Sequence, residues 1–527
     1  MGSTRDRMEY GEGPVCVDGW SDTKLKPSSN LPQQEEGSGK KSTSVHHEIG
    51  ELSAHRGKKY FRLGDVKEGE AHTPSVVRRV LEEAGWEETL DENDWHLFWK
   101  SGRFTVGEYD RRRKANQRLN HFAASSKLCC KDSLVRIMRR CKSTYGMVYN
   151  FVPEAYLLPN EYNKFMKSYS EHRDEEALWI CKPADLSRGK KIFIMKDIRE
   201  LVYDCSAVIQ RYIHNSMLIG DYKFDLRMYV LVTSCHPLKI HLFQDGLCRF
   251  GTVPYSKDNY SDIFAHLTNF SINKDSPTYS DVKDIIGANN KWTLDALFEY
   301  MRAKGLPVRK LLTRIKALIV LTLITLPSIV PTSSSSTCFE LFGFDILIDS
   351  DLKPWLLEVN TSPALSVDCF EDEQVKAALI RDLVDLIDFD SMPEGSPRKA
   401  SVVRCPTPKF GSRKKSVDIL AAGKHAVPPR MDAKTNANAK AKKGLLAGSK
   451  HEADKFVGGS VGQLEQIFPF SQRTQQLSYS LGLAQNEQEP VAVIKEVIAE
   501  LRDWIKNKGK DAKASKIPAV LATQNCN

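Results

Sequence analysis

The chain has 527 residues, room for two or three domains' worth of core and a large cleft. Its 41% hydrophobic and 27% charged residues are ordinary for a soluble globular protein. The 12 cysteines show no pair of CxxC motifs and no zinc-finger spacing, which argues for reduced thiols in a cytosolic protein and against a disulfide framework or structural zinc. The net charge of +9 is modest, but much of the excess lies after residue 395, where a basic stretch suits an acidic partner.

Residues 1–58 are rich in Gly, Ser, Lys and Glu with little apolar periodicity, and read as a disordered lead. The opening MGSTRDRMEYGEGP shows no signal peptide, and Asp6 stands where a myristoylation start calls for Ser or Thr. From Tyr60 the pattern changes. SVVRRVLEEAGW places Val76, Val77, Val80, Leu81 and Ala84 on one helical stripe, and DWHLFWK resembles a short strand, so 59–115 is assigned to a small N-terminal lobe. In the central lobe, 116–200, KDSLVRIMRR reads as a helix, and ALWICKP and KKIFIMK read as strands.

Residues 201–392 hold the densest pattern. DLRMYVLVTS and KIHLFQDGLCRFGT read as two strand pairs, the second turning at Asp245-Gly246. The apolar run Ala317–Leu326 is about ten residues, too short to cross a bilayer, and reads as a buried core helix. FELFGFDILI and KPWLLEVN follow as strands, then QVKAALIRDLVDLIDF as a closing helix. Strands and helices mix without strict βαβ alternation, so the fold class is α+β. Pro, Ser, Lys and Arg dominate 393–460, a flexible basic linker, and 461–527 reads as a C-terminal tail with short helices that act as docking elements.

The strongest chemical signal is the hairpin FELFGFDILIDSDLKPWLLEVN. Glu358 and Asn360 are two apart on one strand and point to one face, with Asp345 opposite on its neighbour. Carboxylates and an amide oxygen among apolar flanks suit a hard cation such as Mg²⁺ held with phosphates, because buried acids need a cation. In KFDLR, Lys223, Asp225 and Arg227 alternate on one side of a strand, which reads either as a phosphate clamp or as a charged outer sheet face. Arg249 can add a second positive arm to that face. WICKPADLSRGKKIFIM reads as a flap, with Lys182 ending one strand and a Gly-containing loop before the next.

These pieces, with HLTN at His266–Asn269, stand in the order and spacing of the tubulin tyrosine ligase-like family, which the chain resembles from about 60 to 395. The resemblance implies an ATP-grasp fold and a catalytic region over 59–392. It further implies an ATP- and Mg²⁺-dependent ligase that joins an amino acid to a protein carboxylate through an acyl phosphate. Lys182 would hold the ATP phosphates, Lys131 would reach the nucleotide from the central lobe, and Gln210, Arg211, Tyr212 and Ile213 would lie along the adenine through backbone contacts. Lys223, Asp225, Thr268 and Asn269 would complete the nucleotide site, under a flap carrying Arg188 and Gly189, with Arg188 toward the acceptor. Asp345, Glu358 and Asn360 would coordinate Mg²⁺, and Arg227 and Arg249 would stabilise the acyl phosphate.

Two positions depart from the family's pattern. Lys191 stands where a second flap glycine is usual, and Cys130 stands before Lys131 where relatives are often basic. The body looks most like the family's glutamate-adding branch, which implies tubulin or microtubules as partner through acidic C-terminal tails and free glutamate as donor. A monomer binding neither nucleic acid nor membrane, placed in the cytoplasm and cytoskeleton, at a cilium or basal body, is the matching expectation. The glycine and tyrosine ligases of the family, and a catalytically silent microtubule binder, are the alternatives. The basic stretch with Arg413, Lys414, Lys415, Lys440, Lys442 and Lys443 reads as a microtubule dock, a solvated linker or a nuclear-import signal.

Overall fold

The computed structural model describes residues 58–64, 75–172, 177–186, 189–202, 205–278, 290–334, 337–387, 460–481 and 488–514. The lead to residue 57, Arg188 and the basic linker through 459 lie outside the described residues.

Three sheets are built in chain order. The first is parallel, with β1 (Tyr60–Gly64), β2 (Glu87–Glu88), β3 (Leu97–Lys100) and β4 (Arg118–Leu119) in the order β2-β1-β3-β4. Helix Ser75–Glu83 buries Val76, Val77, Val80 and Leu81 as its periodicity requires. Ala84, expected on the same stripe, follows the helix end and is exposed. The sheet is completed by β4, so the N-terminal lobe runs past the expected boundary at 115.

The second sheet is antiparallel, with β5 (Ala155–Leu158), β6 (Trp179–Pro183), β7 (Phe193–Met195) and β8 (Ala207–Arg211) in the order β5-β8-β6-β7. Helix Lys131–Tyr145 packs on β5 and β8. The central lobe therefore extends beyond 200 to include β8.

The third and largest sheet comprises β9 (Leu218–Ile219), β10 (Tyr222–Cys235), β11 (Leu238–Phe250), β12 (Lys291–Thr293), β13 (Glu340–Ile348), β14 (Pro354–Thr361), β15 (Ser460–Val461) and β16 (Leu464–Phe468). Its main path is β14-β13-β10-β11-β16-β15, with β9 on β10 and β12 on β11. The expected pair of hairpins is instead one long hairpin of β10 and β11 that turns at His236-Pro237. Asp245-Gly246 is not a turn: Gly246 pairs with Met228 inside the ladder, beside a register shift between Met228 and Val230. A glycine is needed there because a Cβ would stand 2.5 Å from the Arg227 carbonyl oxygen, and the Asp245 carboxylate accepts from the Gly246 N–H at 2.8 Å.

Every residue of β13 is buried, and β14 returns antiparallel beside it. Helix Val308–Leu323 carries the apolar run and ends before Leu326. Val308–Ser328 is long and apolar enough to cross a membrane by composition, which corrects the ten-residue reading. As much as 72% of its most apolar window is buried within the protein, against β11, β14, β16 and the last helix, so it is a core helix. The C-terminal part is no tail of short helices: β16 extends the main sheet along β11, and the helix Gln488–Ala514 buries Val497, Ile498 and Leu501 in the core. The whole is α+β, with a mixed arrangement of sheets and helices.

Candidate active site

Strand alternation brings the acidic and basic side chains of β10, β11, β13 and β14 to one face of the large sheet. Arg227 pairs with Asp345, Asp225 pairs with Arg249, and Asp345 pairs with Glu358 in register. A register shift between Asp345 and Ile346 locally re-aims Glu358. The Arg227 guanidinium donates to both Asp345 oxygens, at 2.5 and 3.0 Å. Arg249 forks onto Asp225 at 2.8 and 2.6 Å, and its Nη2 lies 2.9 Å from Asp345 Oδ2. The phosphate-clamp reading thus gains its second arm, but both arginines are held by acids. Charge-assisted forks of this kind fix geometry as well as charge.

The two acids of the hairpin differ. Burial alone would raise the Asp345 carboxyl, but Arg227 and then Arg249 hold it well below the usual carboxylate range. Burial and then the Asp345 charge raise Glu358, which forms no ion pair among the described residues. Glu358 Oε1 accepts instead from Asn360 Nδ2 at 3.1 Å, which places both side chains on one face as the spacing requires. A part-buried acid without an ion-pair partner among the described residues, an amide oxygen and the lone pairs the arginines leave on Asp345 form a hard-oxygen donor set. These residues fit Mg²⁺ shared with phosphates, with Glu358 and Asn360 as the freer donors.

A lysine wall adjoins these acids, for the charges of Lys131, Glu358 and Asp345 all reach Lys182. Lys182 on β6 donates to Gln210 Oε1 at 2.8 Å, and burial lowers its ammonium to about 8, against the pull of Glu358 and Asp345. Lys223 on β10 donates to the Tyr212 hydroxyl at 2.7 Å and to the His266 carbonyl at 3.0 Å. Burial lowers Lys223 to about 7, with Lys182 nearby adding repulsion. Lys131, at the start of helix Lys131–Tyr145, donates to the Leu186 carbonyl in the flap, and its charge also reaches Lys182. A part-buried and a buried ammonium group with depressed pKa values stand close together here, an arrangement that suits an anion.

Of the segment expected along the adenine, Gln210 and Arg211 end β8, and Tyr212 and Ile213 follow it. The Arg211 and Tyr212 N–H groups donate to the Glu154 and Leu178 carbonyls, so those two donors are spent in the sheet. Thr268 is buried, and Asn269 precedes the short helix Phe270–Asn273 without a side-chain capping bond. In the flap, Gly189 has φ +76°, and a Cβ there would come within 2.3 Å of Ile272 Cδ1 and 3.3 Å of Asn269 Oδ1. Lys191 adopts φ +55°, the left-handed conformation that the usual glycine accepts without strain.

Sequence reasoning missed three further groups around the same cleft. His121 Nδ1 lies 2.6 Å from Glu340 Oε1, both buried, and Glu340 holds the imidazole pKa up although burial lowers it. Lys291 and Lys376 converge on Asp372, and Tyr229 sits beside them under a cavity of about 920 Å³ that Arg227, Arg249, Glu358 and Asn360 also line. These partners are far apart in sequence, and only the strand positions of Tyr229 and Glu340, on the same strands as Arg227 and Asp345, offered a signal.

The profile of the Tubulin-tyrosine ligase family matches residues 110–397. The chain is 43% identical over 324 residues to "Probable tubulin polyglutamylase TTLL2" of Homo sapiens, covering 60% of this chain and 54% of that protein. It is 34% identical over 398 residues to "Tubulin polyglutamylase TTLL5" of Mus musculus, covering 73% of this chain and 29% of that one. "Tubulin polyglutamylase TTLL6" of Mus musculus is 37% identical over 325 residues, covering 59% and 39%. The chain spans about half the length of the TTLL2 relatives, 54% and 59%, and less of the others. With its family segment carrying the acid–arginine face and the lysine wall described above, the chain belongs to the tubulin-tyrosine ligase family.

Proposed function

We propose that this protein is an ATP-grasp ligase that uses ATP and Mg²⁺ to add glutamate to glutamate side chains in the acidic C-terminal tails of tubulin. One observation carries the reading. Glu358 is a part-buried acid that lines the cavity with no ion-pair partner among the described residues, and its charge reaches the part-buried Lys182, which stands near the buried Lys223. Such an arrangement accommodates a polyphosphate beside its cation.

In this reading Lys131, Lys182 and Lys223 receive the phosphates, and Gln210 to Ile213 with Thr268 and Asn269 receive the nucleoside. Glu358, Asn360 and Asp345 hold Mg²⁺, which neutralises phosphate charge when bound. An oxygen of the acceptor carboxylate takes the γ-phosphoryl group of ATP: its O–P bond forms, the P–O bond to ADP breaks, ADP departs with the electron pair, and an acyl phosphate results. The amine then attacks its carbonyl carbon: the C–N bond forms, the C–O bond to phosphate breaks, and phosphate departs with the electron pair while the amine sheds a proton. Arg227 and Arg249, fixed by their carboxylate forks, present positive charge to the oxygens of that intermediate. The printed names of the relatives support glutamate as donor and tubulin as acceptor. A monomer working in the cytoplasm on the cytoskeleton, at a cilium or basal body, completes the proposal.

A second reading has a specific observation behind it. Lys191 at φ +55° strains the flap, which favours a weakened ligase that still engages microtubules. Supplying microtubules, Mg-ATP and one labelled amino acid at a time separates the cases. The proposal expects glutamate to be incorporated and glycine and tyrosine not. Incorporation of either of those, or of none, overturns the assignment of substrate.

A further inference from the structure

Beyond Arg249 the cavity floor carries charge that the nucleotide reading does not use. Lys291 on β12 and Lys376 on helix Phe370–Leu386 reach Asp372 at 2.6 and 2.8 Å, and all three are buried. One carboxylate between two ammonium groups leaves positive charge uncompensated. Asp368, 3.8 Å from Lys291, is partly in solvent and offsets it less. Beneath them lies Tyr229, on β10 beside Arg227, with no exposed surface. Its hydroxyl meets no hydrogen-bond partner among the described residues, although Arg227, Arg249, Lys291 and Asp372 are all close enough to act on it. A buried phenol without an acceptor is rare and costly. Surplus ammonium charge beside an unused O–H donor is a seat for an anion, and a carboxylate accepts from both.

The same cavity, about 920 Å³, is walled by Arg227, Arg249, Glu358 and Asn360. A molecule with a carboxylate on this floor therefore extends toward the place where the acceptor carboxylate would be activated. We infer that Tyr229 and Lys291 bind a carboxylate of the incoming amino acid and so hold its amine toward the acyl phosphate. The inference rests on the ligase reading above.

The test uses the full chain with Mg²⁺, a non-hydrolysable ATP analogue and L-glutamate titrated calorimetrically. Tyr229→Phe removes only the hydroxyl and should weaken glutamate binding about tenfold, the usual size of a hydrogen bond to a charged group. Lys291→Met should weaken it further, with a matching rise in the glutamate KM and no change in affinity for the nucleotide analogue. Retained nucleotide affinity also reports that each variant is folded. A parallel loss for glycine identifies the α-carboxylate as the one seated, and a loss for glutamate alone identifies the side-chain carboxylate. Unchanged glutamate affinity in a Tyr229→Phe protein that still binds nucleotide overturns the seat while leaving the ligase reading intact. Wild-type protein that incorporates no amino acid overturns that reading, and the seat with it.

Discussion

Arg249 on β11 reaches across β10 to Asp345 on β13, its Nη2 2.9 Å from Oδ2, while the same guanidinium forks onto Asp225. With Arg227 on Asp345, the arginines and aspartates form one continuous chain of charge, Arg227–Asp345–Arg249–Asp225, and Glu358 stands beside Asp345. The neighbours Asp345 and Glu358 should therefore respond in opposite ways to neutralisation. Asp345→Asn strips Arg227 of its counter-charge and leaves Arg249 with Asp225 alone, and should cost about 3–5 kcal/mol of stability. Glu358→Gln removes an unpaired acid and should stay within about 1 kcal/mol of wild type or gain slightly. Chemical denaturation of the two variants checks this, and equal destabilisation would show that the chain of charge does not hold the fold.

The lysine wall predicts proton linkage. Lys182 and Lys223 are lowered to about 8 and about 7 from an ordinary 10.5, chiefly by burial. Between those values the unfolded chain holds more protons than the fold. These groups thus make the ligand-free protein more stable as pH rises through that window. A triphosphate restores the ammonium charge, so nucleotide binding at pH 8 should take up on the order of one proton. Calorimetry in buffers of different ionisation enthalpy measures the uptake, and Lys223→Met should reduce it. Heats independent of buffer would contradict the assignment of these lysines to phosphate.

The flap can be tested at two neighbouring positions. Lys191→Gly relieves a left-handed lysine and should stabilise the flap by about 1 kcal/mol, with ligase activity kept or raised. Gly189→Ala meets both φ +76° and the Ile272 side chain, so it should lift the flap from Asn269 and raise the KM for ATP severalfold. Steady-state kinetics on both variants decides. A Lys191→Gly protein with lower activity would mean that the lysine itself has a role.

Truncation at 392 is not a clean test of the basic stretch. It also removes β16, which pairs with β11, and a helix whose Val497, Ile498 and Leu501 are buried against the core. A chain ending there should unfold at lower temperature or aggregate. Neutralising Arg413, Lys414, Lys415, Lys440, Lys442 and Lys443 in the full chain should instead leave the melting temperature in place and weaken co-sedimentation with microtubules at low salt. Unchanged co-sedimentation removes the docking role.

The hairpin geometry was legible because strand period sets most of it: Glu358 and Asn360 share a face, and Asp345 does lie opposite. Lys223, Asp225 and Arg227 followed from the same period. Pairing across strands was not legible, since it fixes which acid each arginine satisfies. Local turn chemistry misled at Asp245-Gly246, where close approach of the Arg227 carbonyl, not a reversal, requires the glycine. Lys291, Asp372 and Lys376 come from segments with no local signal and meet only through packing of helix Phe370–Leu386 on β12. The C-terminal strand was hidden for a similar reason: LEQIF is short, and it becomes a strand because β11 offers it an edge.

The most direct measurement is incorporation of labelled glutamate into microtubules by the full chain with Mg-ATP, run beside Glu358→Gln. Incorporation by the wild type that disappears in the variant, with the variant's fold and melting temperature preserved, is the predicted result. No incorporation by the wild type, or incorporation that survives Glu358→Gln, would contradict a ligase built on this hairpin.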